Sequence, residues 1–222
     1  MLPKDDVVQQ RGQLIDKAVF NGGPVHNFSK MGRLSLITLL KIGITPDSKV
    51  LDVGCGALRG GYWLIHFLQP NRYCGIEPHK AMLEAGKELL LEEDVLAYKK
   101  PRFDHNEAFN FSVFNEEFDF VLARSIWTHA SKLQIQQMMD EFVLTTGPKG
   151  VFLTSYFKPI FKKQDYKGKN WVGKSHHSDQ AGIVHHSLSW IDAECQKRKL
   201  TLQELKFDYF DQIWLHISKQ EH

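Results

Sequence analysis

An α/β fold, with a mostly parallel sheet covered by helices on both faces, is predicted for this chain by three observations. Strand-like and helix-like segments alternate between residues 49 and 156, the first strand runs into a glycine-rich turn, and an acid closes the second strand. At 222 residues with 42% hydrophobic content, the chain can bury one full core. A single main domain over residues 46–222 is expected, with residues 1–45 as an accessory segment packed near its site.

The first unit is Lys49-Val50-Leu51-Asp52-Val53, a short apolar strand, followed over 58–68 by Leu64, Ile65 and Leu68 at helical spacing. A second unit follows, with strand 72–77, Pro78 as a break, and a helix over 80–93 rich in Ala, Leu, Glu and Lys. Residues 118–123 read as a buried strand, 132–145 as an amphipathic helix, and 150–156 as the next strand after a Gly-Pro-Lys-Gly turn. Residues 158–182 lack apolar periodicity, so an insertion at about 158–186 reads as a long loop of the kind that is functional or mobile. A last helix is expected at 188–199, then two strands at 200–207 and 212–217, close enough in sequence to pair antiparallel. Upstream, residues 34–41 are an apolar helix candidate preceded by the breaker Asn21-Gly22-Gly23-Pro24.

Composition excludes several classes. Twenty-eight basic against 26 acidic side chains is too even a balance for a nucleic-acid partner. The most hydrophobic stretch, 34–44, is short and interrupted by Lys41, so no membrane span is expected. Three scattered cysteines, Cys55, Cys74 and Cys195, suggest neither a disulfide framework nor a zinc site and fit a reducing cytoplasm.

In Asp52-Val53-Gly54-Cys55-Gly56-Ala57-Leu58-Arg59-Gly60-Gly61 the glycines let the chain turn sharply from strand to helix and lie close to a ligand. A dinucleotide fingerprint would need glycine at position 59, where Arg59 stands, and that disfavours an NAD-dependent oxidoreductase. The remaining Asp-x-Gly-x-Gly pattern puts a carboxylate where it can attract an ammonium group, directly or through water. Glu77 lies 21 residues after Gly56 at the carboxyl edge of the sheet, where its two oxygens suit the hydroxyl pair of a ribose. Ammonium and ribose together fit S-adenosylmethionine (SAM).

Residues 50–61 with Gly75-Ile76-Glu77 resemble motifs I and II of the class I SAM-dependent methyltransferases, and 118–123 looks like the fourth strand of that family. The string 55–61 together with Met31-Gly32-Arg33-Leu34 looks like a bacterial small-molecule subgroup. The resemblance spans roughly 46–218 and implies a Rossmann-like three-layer sandwich whose seven-stranded sheet has its last strand antiparallel. It implies SAM as cofactor, with Asp52, Gly54 and Gly56 lining its methionine part, Glu77 its ribose, and Cys55 and Pro78 also in the cofactor site. The family's adenine contact would fall on Glu107, Ala108 and Phe109, which read otherwise as a surface turn, and Ala123 and Arg124 would close the cofactor edge.

Methyl transfer is an in-line displacement at a carbon activated by a sulfonium, so the protein has to align, dehydrate and sometimes deprotonate the acceptor. Arg124 and His129, after the fourth strand, are candidates to hold an anionic acceptor and to act as base; His129 reads equally as a packed helix-start residue. The same segment lacks the Asn-Pro-Pro-Tyr of amino-methylating enzymes, which argues for transfer to oxygen on a small molecule. Residues 158–174 hold six lysines and one acid, a lid that attracts an anion or else a solvated loop. Arg33, Arg59, His176 and His177 are candidate acceptor contacts, the arginines reading alternatively as salt bridges or caps. The pairs His176-His177 and His185-His186 lack a carboxylate or cysteine companion, so no metal is expected. A non-catalytic SAM-binding scaffold is the remaining alternative, and oligomeric state is not legible.

Overall fold

The computed structural model describes residues 5–20, 23–173, 182–205 and 212–220. The chain divides into two compact units, Met1–His105 and Asn106–His222. Its strands form a seven-stranded sheet, as the resemblance implied, and their order is β3-β2-β1-β4-β5-β7-β6.

In the first unit, two helices, α1 (Asp5–Ala18) and α2 (Phe28–Lys41), precede β1 (Val50–Val53). Then come α3 (Gly61–Phe67), β2 (Tyr73–Ile76), α4 (Lys80–Leu89), α5 (Glu93–Lys99) and β3 (Arg102–Asp104). The three strands are parallel, with Asp52 opposite Gly75 and Ile76 opposite Asp104. All residues of β1 and β2 are buried, as expected for parallel strands covered on both faces. The N-terminal helices are integrated into this unit: α1 packs on α2 and α4, and α2 packs on α3.

The helix expected over 80–93 is two helices. Leu90 and Leu91 are buried at the break, and Arg11 of α1 donates to the Leu90 carbonyl at 2.7 Å and pairs with the Glu92 carboxylate. Tertiary contacts thus end a helix that local propensity would continue.

The second unit holds β4 (Phe118–Ala123), α6 (Lys132–Thr145), β5 (Thr146–Tyr156), α7 (Leu188–Lys197), β6 (Leu200–Leu205) and β7 (Ile213–Lys219). β4 and β5 are parallel, β7 runs antiparallel to β5, and β6 pairs antiparallel with β7. The last strand is therefore the reversed one. α6 begins at a capping box, in which Ser131 Oγ accepts the Gln134 N–H and Gln134 returns the bond to Ser131. All three cysteines are buried as free thiols.

Candidate functional site

The site in the first unit grows from the turn after β1. Gly54 and Gly56 have φ of 70° and 56°, left-handed values that side-chain-bearing residues seldom adopt. Gly54 and Cys55 donate to the Ile76 carbonyl at 2.8 and 3.1 Å, which ties the turn to the end of β2. Gly75 is glycine for a related reason: a Cβ there would stand 2.8 Å from Cys55 Sγ.

Glu77, 3% exposed, sits against this turn. One carboxylate oxygen accepts the Gly56 N–H at 2.9 Å and the other accepts the His79 N–H at 2.8 Å. Burial pushes its carboxyl pKa up, while those two N–H groups pull the other way. A carboxylate has about four acceptor sites, so two used by backbone leave capacity for a diol. His105 Nδ1 donates to the Glu77 carbonyl at 2.7 Å, and the Glu77 N–H donates to Asp104 at 3.0 Å. Main chain and carboxylate are thus both fixed, and Pro78 lies in the bend from Glu77 to α4.

Asp52, 5% exposed, accepts the Tyr73 hydroxyl at 2.8 Å. Tyr73 was not among the sequence candidates. Its signal is the parallel register, which places it diagonal to Asp52 on one face of the sheet. Burial and then Asp52 raise the pKa of both Tyr73 and Cys55, so both keep their protons at neutral pH.

The two candidate arginines of this unit, Arg33 and Arg59, have internal contacts. Arg33 pairs with Asp5 and lies 5.9 Å from the Trp63 ring centroid. Arg59 stacks over Phe28 at 4.8 Å, and burial lowers its pKa to about 10, opposed by Asp16, leaving it charged.

In the second unit Glu107 and Ala108 are exposed. They lie in a turn closed by Asn106 and Asn110, beside a buried Phe109 whose φ is 53°. Ala123 ends β4, where its carbonyl accepts the Thr154 hydroxyl at 2.9 Å. Arg124 lies 5.8 Å from the Trp214 ring centroid. Ser125 takes a left-handed φ of 58°, with its N–H on Ser155 Oγ at 2.8 Å and its hydroxyl bonded to Gln212.

His129 Nδ1 lies 2.7 Å from the Val172 carbonyl and 3.1 Å from the Gly182 carbonyl. Both oxygens only accept, so Nδ1 carries the proton and Nε2 is the basic nitrogen. Burial lowers the pKa, against the pull of the two carbonyls, which favours the neutral ring. The Val172 N–H returns a bond to the His129 carbonyl at 2.8 Å, and Val184 donates to Thr128 at 2.8 Å. A Cβ on Gly173, whose φ is 135°, would stand 2.7 Å from the His129 ring. The described parts of the insertion are therefore stitched onto residues 128–132. There Lys132 pairs with Asp165 at 2.6 Å, and fully buried His186 donates from Nε2 to Ala130 at 3.0 Å. His176 and His177 lie outside the described residues. Among the described residues no cluster of three or more His, Cys, Asp or Glu is placed to hold a metal.

Residues 50–150 match the family model described as a methyltransferase domain. Among solved structures, the DhpI–SAH complex is similar at 10% identity with a TM-score of 0.64, covering 98% of this chain and 96% of that one. Magnesium protoporphyrin IX methyltransferase (ChlM) from Synechocystis PCC 6803 with bound SAM is similar at 14% identity, TM-score 0.62, covering 99% of each chain. The YcgJ protein from Bacillus subtilis is similar at 16% identity, TM-score 0.63, covering 86% of this chain and all (100%) of that one. At these identities the structural matches establish the fold.

Proposed function

We propose that this chain, whose residues 50–150 match a methyltransferase domain, is a SAM-dependent methyltransferase that transfers a methyl group to an oxygen of an anionic small molecule. The dehydrogenase and scaffold readings are not favoured by the methyltransferase match.

Glu77 and the Gly54–Gly56 turn carry the cofactor reading. A buried carboxylate is held rigid by Gly56 and His79, with acceptor capacity left over, beside a turn stripped of side chains; that is what a ribose and its attached chain require. Asp52, oriented by Tyr73, would receive the ammonium of the methionine part; Cys55 and Pro78 would complete the wall by packing. SAM supplies the sulfonium-activated methyl group. Glu107, Ala108 and Phe109 would flank the adenine, Ala123 would line the cofactor edge, and Arg33, Arg59, His176 and His177 would contact the acceptor.

The acceptor chemistry is assigned to Arg124 and His129. Arg124 would hold the acceptor's negative charge and also border the cofactor. His129, neutral with a basic Nε2, would take a proton from a hydroxyl, a role that suits oxygen rather than an amine that reacts as its free base.

Equilibrium titration of SAM tests the cofactor site. Glu77→Ala is expected to weaken binding by ~1.5–3 kcal/mol, the range for hydrogen bonds to a charged group. An unchanged dissociation constant in a folded variant removes Glu77 from the site. Methyl transfer from labelled SAM to a pool of anionic metabolites tests the acceptor class, with His129→Gln expected to lower turnover while SAM affinity stays at the wild-type value.

A further inference from the structure

The start of the insertion presents two consecutive large apolar side chains to solvent, Ile160 at 81% and Phe161 at 60% exposure. They are held there by a preformed turn. The Gln164 side-chain oxygen accepts both their N–H groups, at 2.8 and 3.0 Å, and the Gln164 N–H closes a 3-10 turn onto the Phe161 carbonyl at 2.9 Å. The base is anchored in its turn. Asp165 pairs with Lys132 at 2.6 Å and accepts the Ser187 N–H at 2.9 Å, and Tyr166 donates to the His185 carbonyl at 2.9 Å. Ile183, also exposed, comes two residues before the His185 that bridges Asp165.

Charge selects the partner. Lys158, Lys162 and Lys163 flank the apolar pair, and Lys167 and Lys169 follow, while Asp165, the acid in their midst, is neutralised by Lys132. Lys163 Nζ lies 6.0 Å from the Phe161 ring. Leu144 on α6 is similarly exposed but follows Asp140 and Glu141, and the lysine beside it, Lys219, is taken up by the Val143 and Thr146 carbonyls. We infer that the turn at residues 158–163 docks on an anionic membrane surface, Ile160 and Phe161 entering the headgroup boundary and the lysines meeting lipid phosphates.

Such a surface rewards both features at once: apolar tips gain by entering the acyl boundary, and each nearby lysine gains from the negative surface potential. A protein partner is disfavoured because two or three apolar side chains fall far short of the ~800 Å² per partner of a stable interface, and lysine is depleted there. A nucleic acid is disfavoured because its bases need aromatic platforms, and the most exposed large apolar side chain among the described residues is the aliphatic Ile160. Docking differs from spanning: among the described residues no helix is long and apolar enough to cross a membrane. The inference does not rest on the acceptor or cofactor reading.

Sedimentation of the full chain tests it, with vesicles of equal parts phosphatidylcholine and phosphatidylglycerol against vesicles of phosphatidylcholine alone. The chain is expected to pellet with the anionic vesicles and to release in high salt. The pairs Lys162→Glu with Lys163→Glu, and Ile160→Ser with Phe161→Ser, are each expected to weaken binding by roughly tenfold or more. Circular dichroism checks their folding, and should the apolar pair misfold, the lysine pair and the salt dependence decide. SAM affinity of both variants is expected to match wild type, which separates this test from that of the cofactor site. Equal pelleting with neutral vesicles, no pelleting with either, or pelleting that neither pair alters overturns the inference, as does RNA competing the chain off the anionic vesicles through the same lysines.

Discussion

Asp52 is a carboxylate with very little contact with water, so the Tyr73 hydroxyl that bonds it matters more than an exposed partner would. Tyr73→Phe is expected to cost about 1–3 kcal/mol of stability, the cost of leaving a buried acceptor short of a donor, measured by urea unfolding. His186 makes a second prediction. Burial holds its pKa at about 4, against an ordinary value of 6.5. Below pH 6.5 the unfolded chain takes up a proton that the folded ring refuses, so stability is lost as pH falls from 6.5 toward 4. The loss amounts to at most about 3 kcal/mol. Melting followed over that window checks it, and His186→Gln should flatten the slope. Asp52, the glycines and Glu77 were legible because each residue type is demanded locally, by a left-handed turn or a strand-end acid. Tyr73 and the carbonyl partners of His129 were not, since they emerge only from strand register and main-chain positions.

Helix α2 crosses the start of α3 so closely that a Cβ at Gly32 would overlap the Arg59 carbonyl oxygen. Gly32→Ala is therefore expected to destabilise by about 1–3 kcal/mol, although alanine is the better helix former. Lys30→Ala, exposed on the same helix, should stay within about 0.5 kcal/mol in the same denaturation assay. The sequence announced only the apolar core of α2 and missed α1 entirely. The buried stripe of α1 is three residues wide in sequence terms, Val8, Gly12 and Ile15, set among polar ones. Gly12, a poor helix former, is there because a Cβ would collide with the Phe28 ring. Helices written by periodicity were legible; one written by a close crossing was not.

At the scale of the whole chain, alternation of strand and helix was enough to predict the parallel sheet, and the closely spaced last two segments predicted the antiparallel pair. The insertion was readable as an interruption but not as a docked one. Its anchors are backbone carbonyls and one ion pair, Lys132 with Asp165, separated by 33 residues. Because a cofactor that binds only the folded chain stabilises all of it, SAM at about 100 times its dissociation constant should add about 2.7 kcal/mol. A rise in melting temperature with SAM and none with NAD is the expected outcome of a thermal-shift assay.

Packing of Cys55 against Gly75, with the other two sulfurs equally enclosed, gives the chain a built-in reporter of its own opening. Only a thiolate attacks an alkylating reagent, and burial raises the thiol pKa of Cys55 and, to about 12, that of Cys195. Maleimide should therefore label none of the three sulfurs in the native chain and all three in denaturant. The labelling rate between those limits would time how often the interior breathes, without any engineered probe.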